Sequence, residues 1–240
     1  MWWRSARHVK PPSPVRAFCP LFVCEALPRA PAGKRVILWT NPHHDDAAQI
    51  ALLQRCRYRW ARSHYRMHLE LDHGPPRPKW PQGVTATSYA RSEALFANLP
   101  AIMEAADEAF RDVESYVQQS LPERVAHWTH RIESTPDFDP TVCYVARNGQ
   151  KIAGFCSCMP TYDGDPHKAH INLLGVVPAW RRQGLGLAML YEAFGEFYRR
   201  DKRAVDLGVE ATNSTGATQL YERAGMRVVR QYDDYEKEIR

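Results

Sequence analysis

The sequence lacks any run of about 18 apolar residues, so no segment reads as a membrane-spanning helix. Its best apolar stretch, residues 17–27, is broken by Pro20 and Glu25. No Cys-x-x-Cys pair occurs, and no histidine cluster completes a zinc pattern. Six cysteines in 240 residues fall short of the density of a disulfide-stapled secreted scaffold. The one tight pair, Cys156-x-Cys158, would sit on one face of a strand. Free thiols in a reducing cytoplasm and no bound metal are the expectation. Acidic residues are missing from the first 24 positions, where Trp2, Trp3, Arg4, Arg7, Lys10 and Arg16 stand. A targeting peptide needs an apolar core or an amphipathic helix, and Pro11, Pro12, Pro14 and Pro20 forbid the helix. Residues 1–33 therefore read as a disordered basic, Pro-rich tail.

What is present is the composition of a globular chain, with 44% apolar residues. The net charge of +5 hides two regions. Residues 1–80 carry 14 Lys and Arg against 5 Asp and Glu, and residues 81–240 carry 18 against 22. A mildly acidic main body does not suit a protein-wide nucleic-acid surface, which leaves only the basic arm for such contacts.

Periodicity divides the rest. Residues 35–40 form a short apolar strand, residues 47–53 have helical spacing, and residues 65–71 alternate as a strand does. Residues 73–82 are a Pro-rich linker. From Val84 onward the pattern is that of one α/β domain. It has a strand over 84–89, a helix starting at Pro100, a second helix opened by Pro122, and strands over 142–146 and 152–158 joined by the hairpin signal Asn148-Gly149. A central strand over 169–177 follows, then a long amphipathic helix from Leu187 to Phe197. After it come a strand over 204–211, a helix over 218–224 stopped by Gly225, and strands over 226–230 and 232–239. The chain also repeats itself. Laid one over the other, 52–71 and 220–239 share identities at Leu52/Leu220, Arg55/Arg223, Arg59/Arg227, Arg62/Arg230 and Glu70/Glu238.

The chemistry concentrates between Leu173 and Leu190. An apolar strand runs into Arg181-Arg182-Gln183-Gly184-Leu185-Gly186, and a helix follows at once. Such a helix start leaves backbone N–H groups unpaired and carries about half a positive charge. Gly184 and Gly186 let a phosphate approach the backbone, and Arg181 and Arg182 add bidentate donors. A diphosphate-bearing cofactor is the natural guest. A dinucleotide fingerprint would require glycine where Met189 stands, and the Gly-Lys-Ser/Thr of a P-loop is absent.

The segment resembles motif A of the GNAT N-acetyltransferase superfamily, V-x-P-x-x-R-x-x-G-x-G, read as Val176, Pro178, Arg181, Gly184 and Gly186. A second GNAT pattern, N-x-x-A-x-x-L-Y-x-x-x-G-F, is met by Asn213, Ala217, Leu220, Tyr221 and Gly225. Here one extra residue precedes Tyr221, and Met226 replaces the aromatic. The resemblance covers residues 83–240. It implies a mixed, mostly antiparallel sheet of about 6–7 strands flanked by helices, α/β (α+β) in class, and acetyl-CoA as cosubstrate. The implied cofactor contacts are Leu174, Gly175 and Val176 for the pantetheine arm, then Arg181, Arg182, Gln183, Gly184, Leu185 and Gly186 for the pyrophosphate, with Asn213. Residues 34–72 resemble the closing strand, helix and hairpin of a preceding GNAT copy, as in tandem proteins of the mycothiol synthase type. That copy has no motif A, Leu53 stands where Tyr221 stands, and Arg57 replaces Gly225, so no chemistry is expected from it.

In the superfamily an amine attacks the thioester directly in a ternary complex. An alkylammonium with pKa near 10 must lose a proton, and the departing thiolate gains one. The family places a tyrosine beside the CoA sulfur, which makes Tyr221 the expected acid. A carboxylate often stands four residues before Val176, but that position is Asn172, which is no base. His170 on the same strand face and Glu210 on the next strand are the alternatives, alongside a water relay. Backbone amides near Val176 would polarise the thioester carbonyl.

Other groupings are weaker. His43-His44-Asp45-Asp46 point in different directions and read as a solvated turn, and Asp163-x-Asp165 as a plain loop. Asp112 and Glu114 fall where GNAT domains build the acceptor pocket. The leading expectation is an acetyl-CoA-dependent N-acetyltransferase acting on a small-molecule or exposed amine. The alternative is a non-catalytic acyl-CoA-binding GNAT module, a sensor or structural half. No membrane partner is expected, and a homodimer is an open alternative, because residues 1–80 leave a sheet edge for a second chain.

Overall fold

The computed structural model describes residues 15–17 and 36–239, except 90, 91, 114, 115, 117, 118, 136, 137 and 214. Nearly all of the expected basic tail lies outside the described residues, as does Glu114. The elements in chain order are β1 (Val15–Ala17), β2 (Val36–Thr40), α1 (Ala47–Arg55), β3 (Arg59–Glu70), β4 (Val84–Ser88), α2 (Ser92–Phe110), α3 (Leu121–Glu133), β5 (Cys143–Asn148), β6 (Lys151–Met159), β7 (Lys168–Val176), α4 (Leu185–Arg199), β8 (Ala204–Glu210), α5 (Ala217–Arg223) and β9 (Arg227–Glu238). Of the nine strands among the described residues, six, β4 to β9, lie in residues 83–240, where six or seven were expected.

The chain divides into two compact units. The first holds residues 1–66, 209–212 and 228–240, and the second holds residues 67–208 and 213–227. Strand order in the second is β8-β7-β6-β5-β4. Its ladders are antiparallel, apart from the parallel β7–β8 pair. The sheet is therefore mixed and mostly antiparallel, and with the flanking helices it has the α/β class expected.

Local chemistry explains the elements. Gly149 takes φ 58° in the β5–β6 turn, a conformation that favours glycine. The Glu123 carboxylate accepts the Ser120 N–H at 3.2 Å and the Ser120 hydroxyl at 2.7 Å, which holds the start of α3. Leu95, Leu99, Ile102, Met103 and Ala106 line the buried side of α2 with Ile132 of α3. On α4, Leu185, Met189, Leu190, Phe194 and Phe197 are at most 1% exposed. Each such side chain contributes about 1.5–3 kcal/mol by leaving water.

Two expectations are corrected. The first helix of the main domain does not begin at Pro100 but runs from Ser92, so Pro100 is interior. Proline there cannot donate to the preceding turn, yet the apolar stripe extends on both sides of it, and that burial keeps the helix continuous. The C-terminal segment is one strand of 12 residues rather than two, because Gln231 is no turn-former and the backbone stays extended through it.

The internal repeat is structural. With 52–71 laid on 220–239, β3 covers β9 end for end. The start of β2 then falls on the start of β8, and the end of α1 on the end of α5. In the first unit, β9 runs antiparallel beside β2, with Ile37 opposite Glu238, and neighbours β3. There Ile239 N–H donates to Val36 O at 2.9 Å. In the second unit, Leu71 N–H, just past β3, donates to Arg203 O at 2.8 Å at the start of β8. In the first unit the closing strand of the second copy thus lies beside the opening strand of the first.

Candidate active site

The second unit contains a split between two parallel strands. The β7–β8 ladder runs from Lys168 opposite Ala204 to Ile171 opposite Leu207 and stops there. β7 continues to Val176 with its other edge on β6, pairing Leu174 with Cys156, Gly175 with Phe155 and Val176 with Gly154. The edge from Asn172 to Val176 that faces the split has no ladder partner among the described residues. A bulge in the β6–β7 ladder falls at the same place, where Ser157 pairs Leu173 and Cys158 pairs Ile171. Asn172 is left as the extra residue.

Beyond β7 the chain makes the expected turn. Arg182 and Gly184 have φ 60° and 84°. The first bond of α4 is Ala188 N–H to Gly184 O at 3.0 Å. The N–H groups of Leu185, Gly186 and Leu187 therefore point out of the helix start without a helical acceptor. Nothing lies within 4 Å of a Cβ built on Gly184, so the approach to these donors is open. A Cβ on Gly186 would stand 2.8 Å from Leu220 Cδ2 and 3.6 Å from Val176 Cγ2. Glycine there lets the end of β7, the start of α4 and α5 converge. A Cβ on Gly175 would enter the Phe155 ring at 2.2 Å.

The two arginines part company. Arg181 is committed within the protein. Its Nε donates to Val176 O at 3.2 Å, Nη2 to Ala109 O at 2.9 Å, and Nη1 reaches Asp112 Oδ2 at 2.6 Å. It ties the turn to the end of α2 and uses up Asp112, one of the acceptor-pocket candidates. Arg182 is exposed, and Gln183 Nε2 donates to Ala179 O at 2.9 Å. Asn213 Oδ1 accepts the Thr215 N–H at 2.9 Å and the Thr215 hydroxyl, a local turn ahead of α5.

Tyr221 is 8% exposed on α5. Burial, and then the neighbouring Cys156 thiol, hold its phenol well above the usual range, so it stays protonated at any working pH. Cys156 is the ladder partner of Leu174, which puts Tyr221 level with the open stretch of β7. His170 lies four residues back along β7, with its ring stacked on Tyr162 at 4.1 Å between centroids. Between them, Asn172 Oδ1 accepts from Arg131 Nη2 of α3 at 3.1 Å. Burial lowers the pKa of Arg131. Glu210 belongs to the first unit, where it accepts from the Thr212 hydroxyl at 3.3 Å. The sequence reading missed Arg131 and Tyr162. Neither lies in a motif, and the Arg131–Asn172 pair spans 41 residues of chain.

A model of the acetyltransferase (GNAT) family matches residues 99–226. The chain belongs to the GNAT acetyltransferase family. It is 28% identical over 204 residues to a mycothiol acetyltransferase of Geodermatophilus obscurus, covering 81% of this chain and 61% of that protein. It is 29% identical over 201 residues to one of Clavibacter sepedonicus, covering 82% and 60%. The chain thus spans about three-fifths of the length of these curated relatives. A GCN5-related N-acetyltransferase from Sphaerobacter thermophilus superposes with TM-score 0.73 at 32% identity, covering 92% of this chain and 65% of that one. A tandem GNAT protein of the clavulanic acid pathway shares the fold, with TM-score 0.63 at 13% identity, 85% of this chain and 64% of that one being covered.

The GNAT cosubstrate fits the residues present. The open position at Gly184, the three outward N–H groups and the unpartnered edge of β7 are donors for a diphosphate and an amide-bearing arm. A side chain at 184 would occupy that space, and one at 186 would force Leu220 away from the helix start. Among the described residues no group of three or more His, Cys, Asp or Glu is placed to hold a metal ion, and no helix is long and apolar enough to cross a membrane.

Proposed function

We propose that this chain is an acetyl-CoA-dependent N-acetyltransferase that carries an acetyl group to a primary amine by direct attack in a ternary complex. The observation that carries this reading is the convergence of the open β7 edge, the bare N-terminus of α4 and the buried Tyr221 within one unit. Acetyl-CoA supplies an activated thioester carbonyl. The N–H groups of Leu185, Gly186 and Leu187 hold the diphosphate, with Arg182 adding charge from the exposed side of the turn. The backbone of Leu174, Gly175 and Val176 hydrogen-bonds the pantetheine arm as a strand would. A backbone N–H in this stretch polarises the thioester oxygen. Arg181 acts from behind, fixing the carbonyl of Val176 and hence the end of the strand.

Tyr221 donates its proton to the leaving sulfur. Burial keeps the phenol protonated and therefore able to donate, while its raised pKa lowers the driving force for full proton transfer. His170 takes the proton from the acceptor ammonium, and Glu210, the other residue considered for that step, belongs to the first unit. Asn172, between His170 and the open stretch of β7, and Arg131, which donates to it, border the space for the acceptor. Residues 34–72 form a first copy without the turn, and we assign it no chemistry. Residues 83–240 carry the reaction.

Calorimetric titration with acetyl-CoA, paired with release of free CoA thiol across a panel of amines, tests the reading. Binding in the micromolar range, with thiol release for at least one amine, is the expected result. Binding without turnover on any amine would favour a non-catalytic acyl-CoA-binding module. No binding by folded protein would sink both.

A further inference from the structure

The sheet face that carries His170 also carries an ionic network with no part in the acetyl transfer described so far. Asp206 of β8 stands directly across the parallel ladder from His170, and laddered partners present their side chains on the same face. Asp206 is 1% exposed, and both of its oxygens are engaged. His68 Nδ1 lies 2.5 Å from Oδ1, and Lys168 Nζ lies 3.2 Å from Oδ2. His68 Nε2 in turn lies 2.8 Å from Glu70 Oε1, a half-exposed carboxylate. Lys168 and His170 alternate on β7 and share this face. Ala169, Ile171, Val205 and Leu207 fill the other face and are buried. From the remaining elements, the Tyr162 ring stacks on His170, and Arg131 approaches through Asn172. The anion beside the candidate base is therefore Asp206, and the cations around it are Lys168 and Arg131.

A carboxylate is costly to bury unless it is paired, and this one is buried on the sheet face that also carries His170, one residue before the ladder ends at Ile171. We propose that Asp206 is a positioning residue for acetyl transfer. Its carboxylate, across the ladder from His170, raises the affinity of that imidazole for a proton through its charge, while Lys168 and His68 set how much of that charge His170 feels. The proposal rests on His170 being the base. In the step, the N–H bond of the acceptor ammonium breaks, its electron pair stays on nitrogen for the attack, and the proton bonds to an imidazole nitrogen of His170. It leaves later to solvent water, and Asp206 stays ionised throughout.

The test is the pH profile of kcat/KM for an accepted amine at saturating acetyl-CoA, in Asp206→Asn, Lys168→Met and His170→Gln. Removing the anion disfavours imidazolium, so Asp206→Asn is expected to move the ascending limb down by about one pH unit. It should also lower kcat, with KM for acetyl-CoA unchanged. Removing the cation does the opposite, so Lys168→Met moves the limb up. A merely structural network would not shift the limb in opposite directions. Limbs that stay put, or move together, while His170→Gln abolishes the limb would overturn the proposal and leave the base assignment standing. A wild-type limb in His170→Gln would overturn the base assignment and the proposal with it. Should Asp206→Asn fail to fold, Lys168→Met, at a part-exposed site, decides the question by the direction of its shift.

Discussion

The two copies of the repeat carry the same elements in the same order, and they differ in what their helices touch. In the second copy, α5 buries Tyr221 and sets Leu220 against Gly186 at the start of α4. In the first copy, α1 buries none of its residues, and Leu52, the counterpart of Leu220, is 59% exposed. A strand, a short helix and a long strand are therefore not enough to build this site. It needs a glycine turn in front of the helix, so that a leucine and a tyrosine have something to close against. The first copy keeps its secondary structure through its pairing with β9 and shares a polar cluster with that strand, in which Asp233 of β9 accepts from Ser63 at 2.5 Å and lies 2.6 Å from His44.

The comparison breaks most visibly at Gly186. Gly186→Glu would push Leu220 away and set a carboxylate among the outward N–H groups, and it is expected to weaken acetyl-CoA binding by at least about 100-fold in calorimetry. Unchanged affinity would separate the turn from the cosubstrate. Next comes Tyr221→Phe, which should lower kcat by about 10- to 100-fold while the Kd for acetyl-CoA stays level. Leu53→Tyr, which writes the missing tyrosine into the first copy, should leave kcat unaltered. An equal loss of binding in Tyr221→Phe would reduce the phenol to a packing role.

Smaller effects separate the copies by stability. Leu220→Ala should lower Tm by about 3–6 °C, since it removes a half-buried contact worth about 1–2 kcal/mol. Leu52→Ala should move it by less than about 1 °C, because its side chain already faces water. Equal effects would mean that α1 closes on something as α5 does.

The smallest concerns the His44–Asp233 pair. The hydrogen bond and then the charge of Asp233 raise the pKa of His44 above 6.5. For Asp233, burial pushes the carboxyl up, but hydrogen bonds from Ser63, His44 and Gln231 outweigh it and hold the pKa below 3.8. The histidine's share of stability is complete below its ordinary pKa and is lost as pH rises through the raised value. The carboxylate's share is complete above its ordinary pKa and is lost as pH falls through the depressed one. His44→Ala should therefore lower Tm by about 1–2 °C near pH 5–6 and leave it unchanged above about pH 9. A difference that persists at pH 9 would point to packing rather than the ion pair.

Much of the site was legible in the chain because its chemistry is local. Val176 to Gly186 spans one strand end, one turn and one helix start, and the order of residue types alone implies open N–H groups. The repeat was legible because β3 and β9 share their boundaries and their arginines. Pro100 misled because a proline suits a helix start on local grounds, and only the contacts of Leu95 and Leu99 with the core carry α2 past it. The single strand β9 was read as two because its neighbours β2 and β3 come from the far end of the chain.

The sequence by itself determined the glycine turn with its open helix start, the tyrosine that follows it and the correspondence of the two copies, since each rests on the order of residue types within a few tens of residues. Only the tertiary structure decided that β7 parts from β8 at Ile171. It also decided that Arg181 serves the backbone of Val176, and that a buried Asp206 stands beside His170. Those outcomes depend on which strand lies next to which, and a ladder between residues far apart in the chain leaves no periodic trace in either one.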